Sequence, residues 1–171
     1  LAPYADLHTS SVTTNAALLV GDPVDLTVTW TVKNLGTGSG DVSSWFDRIV
    51  LSTDETYGNG DDREIGRFAH DGLVPVNASY TQTQIIALAA ATQGRFYVFV
   101  KADVDDAVYE HADAQPNVGR TDATIAVTPK PYADLVVDVV VSQDLGSNGL
   151  SISVQWTVSN QGIGVTDTPN W

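Results

Sequence analysis

A regular alternation of apolar and polar residues runs through positions 24–32, VDLTVTWTV. The apolar residues share one face, whereas an aspartate and three threonines share the other. This period of two predicts a β-strand with one buried and one solvated face. Positions 150–158, LSISVQWTV, alternate in the same way. The sequence therefore predicts the same kind of strand twice.

The repetition extends to both sides of this strand. PYADL at 3–7 returns at 131–135, and WTV at 30–32 returns at 156–158. Further residues recur at the spacing of 126: Asn34, Gly36, Gly38, Asp41 and Trp45 return as Asn160, Gly162, Gly164, Asp167 and Trp171. A fixed period marks an array of similar modules. We expect one complete module over residues 1–130 and the N-terminal part of a second, homologous module over 131–171, both belonging to a longer protein.

Other strands are expected where β-prone segments alternate with turn residues. They are placed at about 5–13, 45–53, 63–69, 79–88, 95–102 and 120–128. GNGD at 58–61 predicts a tight hairpin, because Asn-Gly readily adopts positive φ. The polar segment 103–117 is too long for a hairpin and is expected to be an ordered loop or an ion site. Seven short strands without helical periodicity predict an all-β fold, an antiparallel β-sandwich.

The composition excludes several classes of partner. The net charge is −13, from 21 acidic and 8 basic residues, and such a surface repels nucleic-acid phosphates. No apolar segment approaches the roughly 20 residues needed to span a bilayer. There is no cysteine, which fits a reduced cytosol and equally an exported protein without disulfides. We expect neither nucleic-acid binding nor a membrane span.

Three segments together resemble one known family. They are WFDRIVLSTD at 45–54 with GNGDD at 58–62, WTV-x-N-x-G at 30–36, and D-x-DDAVYE at 103–110 followed by Asn117. The combination resembles the CARDB module, the cell-adhesion-related domain found in bacteria. The resemblance covers nearly the whole chain. It implies an immunoglobulin-like sandwich, usually in tandem, in large secreted or cell-surface bacterial proteins. The family often has a double Asn where this chain has Pro116-Asn117.

Two acidic loops are candidate calcium sites, because carboxylate and amide oxygens are the ligands that Ca²⁺ prefers. The candidate ligands are Asp54, Asn59, Asp61 and Asp62 in the first loop and Asp103, Asp105, Asp106 and Glu110 in the second, with Asp113 and Asn117 beyond. The first loop lacks EF-hand spacing, and its alternative interpretation is a solvated hairpin with capped backbone NH groups. The second loop, if not bridged by a cation, is an acidic surface loop between two strands at one pole, near the next module.

Three other residues and one strand are interpreted mainly as structural features. Asp47 shares the predicted core face of its strand with Trp45, so a structural hydrogen-bond acceptor is favoured over a ligand. Trp30 and Trp45 are expected in the core, Trp45 in preference to an exposed platform for sugar. The strand 95–102 is apolar on both faces, so we expect an edge or a neighbouring module to cover its second face, with a sugar-binding strip as the alternative.

Nothing in the sequence is typical of catalysis. The three histidines lack metal-ligand spacing, and neither a nucleophile elbow nor a phosphate-binding loop occurs. We therefore expect a structural or adhesion repeat module of a large secreted or bacterial cell-surface protein, stiffened by calcium, and not an enzyme. The alternatives are a glycan-binding accessory module and an appendage of a secreted hydrolase. The expected partners are neighbouring modules of the same chain, copies of itself, or a cell-surface or glycan ligand.

Overall fold

The computed structural model describes residues 2–111, 117–142 and 148–166. Asp113, Pro116, Asp167 and Trp171, all discussed above, lie outside these ranges. The chain divides into two compact units, Leu1–Pro129 and Lys130–Trp171, called unit one and unit two below. The elements assigned in the described ranges are all β-strands, and none of those residues forms a helix that could cross a membrane.

Unit one is a sandwich of two sheets, as the alternating sequence predicted. Its strands are β1 (Leu7–Thr14), β2 (Leu18–Val20), β3 (Val24–Asn34), β4 (Ser44–Ser52), β5 (Arg63–Asp71), β6 (Ser79–Leu88), β7 (Gly94–Lys101), β8 (Val118–Arg120) and β9 (Ile125–Thr128). The first sheet has the order β1-β3-β6, and the second has the order β2-β9-β7-β4-β5, with β8 also paired to β7. Pairing is antiparallel apart from β2 with β9, which is parallel. The all-β prediction is confirmed.

The central strand β3 builds the core because its alternation matches the pleat. Leu26, Val28, Trp30 and Val32 are fully buried. On the outer face, the Thr29 and Thr83 hydroxyls lie 2.8 Å apart across the sheet. Such cross-strand pairs are the unit of sheet stabilisation. Trp45, 4% exposed, joins the same core from β4, so both tryptophans are core residues as expected.

Three local expectations were wrong. The segment 120–128 is two strands, because β7 pairs with β8 near Phe99 and with β9 near Phe96, leaving a connection between them. The short strand β2 was missed, since its parallel pairing with β9 is a contact between distant residues. Strands β4 and β5 are joined by the long loop 53–62 and not by a tight Asn-Gly hairpin; Gly58 has positive φ, 92°, and Asn59 does not.

The second face of β7 is covered by unit one itself. Strand β7 lies inside its sheet, between β9 and β4, and is not an edge. Tyr57 from the loop 53–62 packs on Phe99 with ring centroids 5.8 Å apart. Arg120 lies over the Tyr97 ring, 4.7 Å from its centroid. The expectation of an edge or a neighbouring module over this face was therefore wrong, because a loop and an arginine of unit one cover it.

In its described residues, unit two contains an antiparallel strand pair, β10 (Leu135–Ser142) and β11 (Val154–Asn160). The strand expected at 150–158 therefore begins at Val154 and ends at Asn160. The register repeats that of β1 with β3: Leu7 opposite Asn34 becomes Leu135 opposite Asn160, and Val12 opposite Trp30 becomes Val140 opposite Trp156. The register shift also recurs, between Thr9 and Ser11 and between Val137 and Val139. The sequence repeat is thus a repeat of strand pairing.

Replacing Trp30 with Ala is expected to lower the free energy of unfolding of unit one by about 3–5 kcal/mol, because a large aromatic is removed from a fully buried position. Trp156→Ala is the matched control, since Trp156 occupies the repeated position but is 64% exposed. It should leave the unit-one transition within about 0.5 kcal/mol of the unchanged chain. Urea unfolding of both variants measures this. A loss of unfolding free energy for Trp30→Ala as small as that for Trp156→Ala would show that Trp30 is not a core residue.

Candidate functional site

A buried carboxylate joins the two sheets of unit one. Asp47 on β4 is fully buried. Its Oδ2 accepts hydrogen bonds from Trp30 Nε1 on β3 and from the Tyr80 hydroxyl on β6, both at 2.8 Å, and its Oδ1 accepts from the Asp103 amide at 3.3 Å. Burial raises the pKa of Asp47 above the ordinary value, against the opposing effect of these hydrogen bonds. The arrangement agrees with a structural acceptor, the interpretation favoured from the sequence.

Asp103 closes the first turn of the second acidic loop. It is 1% exposed, with a positive φ of 46°. Its carboxylate accepts from the backbone amides of Ala107 at 2.9 Å and Val108 at 2.8 Å. The Val104 amide donates to Phe46 O at 2.8 Å, which attaches the loop to the start of β4. Asp103 therefore orders the loop.

The other candidate ligands of this loop each have a different protein partner. Asp105 pairs with Arg67, and Asp106 with Lys101 at 3.1 Å. Glu110 accepts from the Leu7 amide at 2.6 Å and from Asn117 Nδ2 at 2.9 Å. Burial raises the pKa of Glu110, and these two hydrogen bonds oppose the rise. Glu110 thus fastens the loop to the start of β1.

The first acidic loop, 53–62, is a dense network of oxygens. Asp54 accepts from the Thr56 amide at 2.6 Å and from Asn59 Nδ2 at 3.0 Å. The hydrogen bonds that Asp61 accepts from the Thr53 hydroxyl and amide lower its pKa to about 2. Asp62 Oδ2 accepts from the Gly58 amide at 2.5 Å.

One oxygen of this loop accepts no hydrogen bond. Asp62 Oδ1 is buried, and no hydrogen bond reaches it. Buried polar groups are rarely left unpaired, so an orphan carboxylate oxygen calls for an explanation. A bound cation would supply the missing interaction, since a carboxylate oxygen is a hard ligand.

The eight predicted ligands fall into two separate sets. The loop 53–62 follows Ser52, which pairs with Tyr97, whereas the loop from Asp103 contacts Phe46 at the opposite end of β4. Within the described ranges, no three His, Cys, Asp or Glu side chains form a group that could hold a metal ion. The structure thus brings Asp54, Asn59, Asp61 and Asp62 into one loop, and Asp103, Asp105, Asp106 and Glu110 into another.

Comparison with solved structures identifies the architecture. The crystal structure of the CARDB domain of the PF1109 protein from Pyrococcus furiosus, in complex with di-metal ions, matches with a TM-score of 0.50 and 18% identity, over 76% of this chain and 99% of that chain. The solution NMR structure of the same domain gives 0.50 and 16%, over 74% and 98%. The chain has the CARDB fold. The resemblance expected from the sequence is thereby confirmed at the level of the fold.

Other comparisons add no functional information. The sequence matches no protein-family model and none of the curated proteins. A beta-glucosidase from Listeria innocua in complex with glucose matches at a TM-score of 0.43 and 14% identity, over 74% of this chain and 16% of that chain. This likeness is too weak to bear on function. The two CARDB structures are described as domains and not as enzymes.

Some residues of the CARDB sandwich were not singled out from the sequence. Tyr80 is the clearest case, because it donates to Asp47 and its ring stacks on His70 at 3.8 Å. The alternation in β6 places it on the same face as Ile86 and Leu88, which are buried, so a periodicity signal existed. Glu55, in the loop 53–62, pairs with Arg120 at 2.7 Å, a contact that the sequence does not indicate.

A cleft also opens beside the start of β1. It has a volume of about 530 Å³ and is lined by Pro3, Tyr4, Gly38, Ser39, Gly40, Asp41 and Tyr109. Tyr109 is 69% exposed, and the Tyr4 ring contacts that of His111 at 5.1 Å. Two tyrosines and one aspartate therefore line the same recess.

The lowered pKa of Asp61 predicts a pH-dependent contribution to stability. The charged form is favoured in the folded chain, so its stabilisation is present above the ordinary pKa of 3.8 and is lost as the pH falls toward 2. Relative to Asp61→Asn, the unchanged chain should melt at a higher temperature at pH 7, and the difference should shrink between about pH 4 and pH 2. Exposed Asp122→Asn is the control. A difference that stays constant across this range would contradict the assignment.

Proposed function

We propose that this protein is a structural or adhesive module of a large secreted or cell-surface bacterial protein. The observation that supports the proposal is the repeated strand pair, in which β10 and β11 reproduce the register of β1 and β3, including its shift. A repeated β unit is typical of arrays that act as spacers or as repeated binding surfaces. The net charge of −13 suits an exposed, soluble surface.

Calcium binding at the loop 53–62 is part of this proposal. Asp54, Asn59, Asp61 and Asp62 provide oxygen ligands, and Asp62 Oδ1 is buried and accepts no hydrogen bond. The CARDB domain of PF1109 was solved with di-metal ions, which is compatible with a metal on this fold. At the other end of β4, calcium would have to displace Arg67 from Asp105 and Lys101 from Asp106. The first loop is therefore the better candidate, and an ion there would stiffen it.

Calcium should raise the melting temperature of the chain, because a ligand of the folded state stabilises it by mass action. At a free concentration of about 100 times the dissociation constant, the gain is about 2.7 kcal/mol. Asp54→Asn combined with Asp62→Asn should abolish the shift. Asp105→Asn combined with Asp106→Asn is the matched control, which removes the same charge from the other loop and should retain it. Scanning calorimetry in chelator and in millimolar Ca²⁺ measures the melting temperatures of the unchanged chain and of both double variants.

The variant that loses the calcium-induced rise in melting temperature identifies the loop that binds the ion. Loss of the shift only in the Asp105 and Asp106 variant would transfer the site to the second loop. Identical melting curves in chelator and in calcium would contradict calcium binding altogether, while leaving the proposed structural role intact.

Glycan binding is the second candidate function, favoured by the cleft beside β1. Exposed aromatic rings with one apolar face and a polar tip are enriched where proteins bind ligands, and Asp41 can accept hydrogen bonds there. Tyr109→Ala should reduce binding to cell-wall polysaccharide at least about tenfold if the cleft is used, the equivalent of about 1.4 kcal/mol. Exposed Ile85→Ala, on the outer face of β6, is the control. A polysaccharide pull-down measures this. If Tyr109→Ala binds as well as the unchanged chain, or if neither of the two binds, this function is excluded for the cleft.

A further inference from the structure

Strand β6 lies at an edge of the first sheet of unit one. It has ten residues and pairs with β3 in an unbroken register from Ser79 to Leu88. No strand of the described residues pairs with its other side. An edge of this kind presents a row of unpaired N–H and C=O groups, which can pair with another strand.

The register shows which main-chain groups of β6 face outward. The Asn15 amide donates to Thr27 O at 3.2 Å, and the Thr27 amide donates to Asn15 Oδ1 at 3.1 Å, so the main-chain groups of Thr27 face β1. Ile85 lies opposite Thr27 and therefore directs its own amide and carbonyl away from β3. These directions alternate along a strand. The outward row consists of Ser79, Thr81, Thr83, Ile85 and Ala87.

The other edge strands of unit one carry features that discourage pairing. Strand β5 contains four charged side chains and a glycine, and its register with β4 is shifted. Strand β2 has three residues, and β1 has a register shift between Thr9 and Ser11. Charges, short strands and bulges are the means by which proteins protect sheet edges. Strand β6, SYTQTQIIAL, has no charged residue, glycine or proline and keeps its register, so its edge is unprotected.

The lack of charge on β6 is compatible with contact between identical chains. The chain has a net charge of −13, so two copies repel each other over most of their surfaces. An uncharged strand of ten residues offers an edge where this repulsion is smallest. The sequence of β6 gives a further reason to expect a second copy.

The outward row is complementary to itself in antiparallel pairing. Thr83 is its central residue, so two rows overlap completely when Thr83 faces Thr83 of the second copy. Thr81 then lies opposite Ile85, which is 69% exposed in the single chain. Cross-strand pairs of β-branched side chains of this kind stabilise sheets.

The same register brings two glutamines together on the opposite face of β6. Gln82 Nε2 donates to Ala69 O at 3.0 Å, whereas its Oε1 is buried and accepts no hydrogen bond. Buried polar atoms are rarely left in this state. With Thr83 at the centre, Gln84 of the second copy lies directly opposite Gln82, and its side-chain amide is a donor for that oxygen.

We propose that β6 pairs antiparallel with β6 of a second copy of this chain, centred on Thr83, so that the two three-stranded sheets become one continuous sheet. The contact uses the same surface on both copies and therefore closes at a dimer. A single strand edge buries less than the roughly 1,200 Å² of a standard interface, so the pairing is reversible and depends on concentration. It adds a lateral contact between chains to the proposed structural role, which does not depend on it.

A single introduced thiol reports the register, because the chain has no cysteine. Thr83→Cys should form a disulfide-linked dimer under mild oxidation, since its Cα lies about 5.5 Å from that of its equivalent, within the range of a disulfide. Thr81→Cys is the matched control on the same edge. Its equivalent lies four residues farther along the strand, roughly 13 Å away, which is too far for a disulfide. Non-reducing electrophoresis measures the linked fraction of each variant.

Sedimentation equilibrium tests the association without a cross-link. The unchanged chain should pass from monomer to dimer as its concentration rises toward about 1 mM, the range of weak interfaces. Thr83→Lys should raise the dissociation constant at least about tenfold, because it places two like charges opposite each other. Thr29→Lys is the matched control. It adds the same charge and removes the same 2.8 Å hydroxyl contact, but on the central strand β3, and should change the constant less than about twofold.

Amide exchange provides a third measurement. Exchange at Thr81, Thr83 and Ile85 should slow as the concentration rises, whereas the amides of Gln82 and Gln84, which face β3, should be protected at every concentration. Three results would overturn the proposal: a monomer throughout the concentration range, equal cross-linking of both cysteine variants, or a dimer that survives Thr83→Lys. The last would assign the association to another surface. None of these results depends on calcium or glycan binding, so the proposed function is tested separately.

Discussion

The carboxylate of Asp47 on β4 holds the two sheets of unit one together. Burying a charged group is costly unless hydrogen bonds replace its water, and three donors converge on Asp47. Trp30 and Tyr80 reach it from the first sheet, and the Asp103 amide reaches it from the loop after β7. Because Asp47 lies on β4, this contact fixes β4 against β3. The Asp103 amide links the second acidic loop to the same contact.

Unit two repeats the strand pair that carries Trp30 in unit one. Its strands repeat the pairing, the register shift and the asparagine hydrogen bonds of β1 and β3. The repeated tryptophans differ in exposure, since Trp30 is fully buried and Trp156 is 64% exposed.

The sequence predicted those features that depend on neighbouring residues. Alternation in 24–32 gave the central strand and the buried Trp30, and the shared face of Asp47 and Trp45 gave a structural carboxylate. The donors to Asp47 could not be deduced, because Tyr80 lies 33 positions along the chain. The acidic loops were visible as clusters of oxygens. The pairing of Asp105 with Arg67 and of Asp106 with Lys101 was not visible in the sequence, since those contacts depend on which strands are adjacent.

A double-mutant cycle between Asp47→Asn and Tyr80→Phe tests the central contact most directly. Tyr80→Phe removes only the hydroxyl that donates to Asp47, and Asp47→Asn removes the charge that receives it. If the buried carboxylate joins the sheets as described, the unfolding free energies of the single and double variants should give a coupling of about 1–3 kcal/mol. Losses that add within about 0.5 kcal/mol would show that the two side chains act independently and would contradict the account.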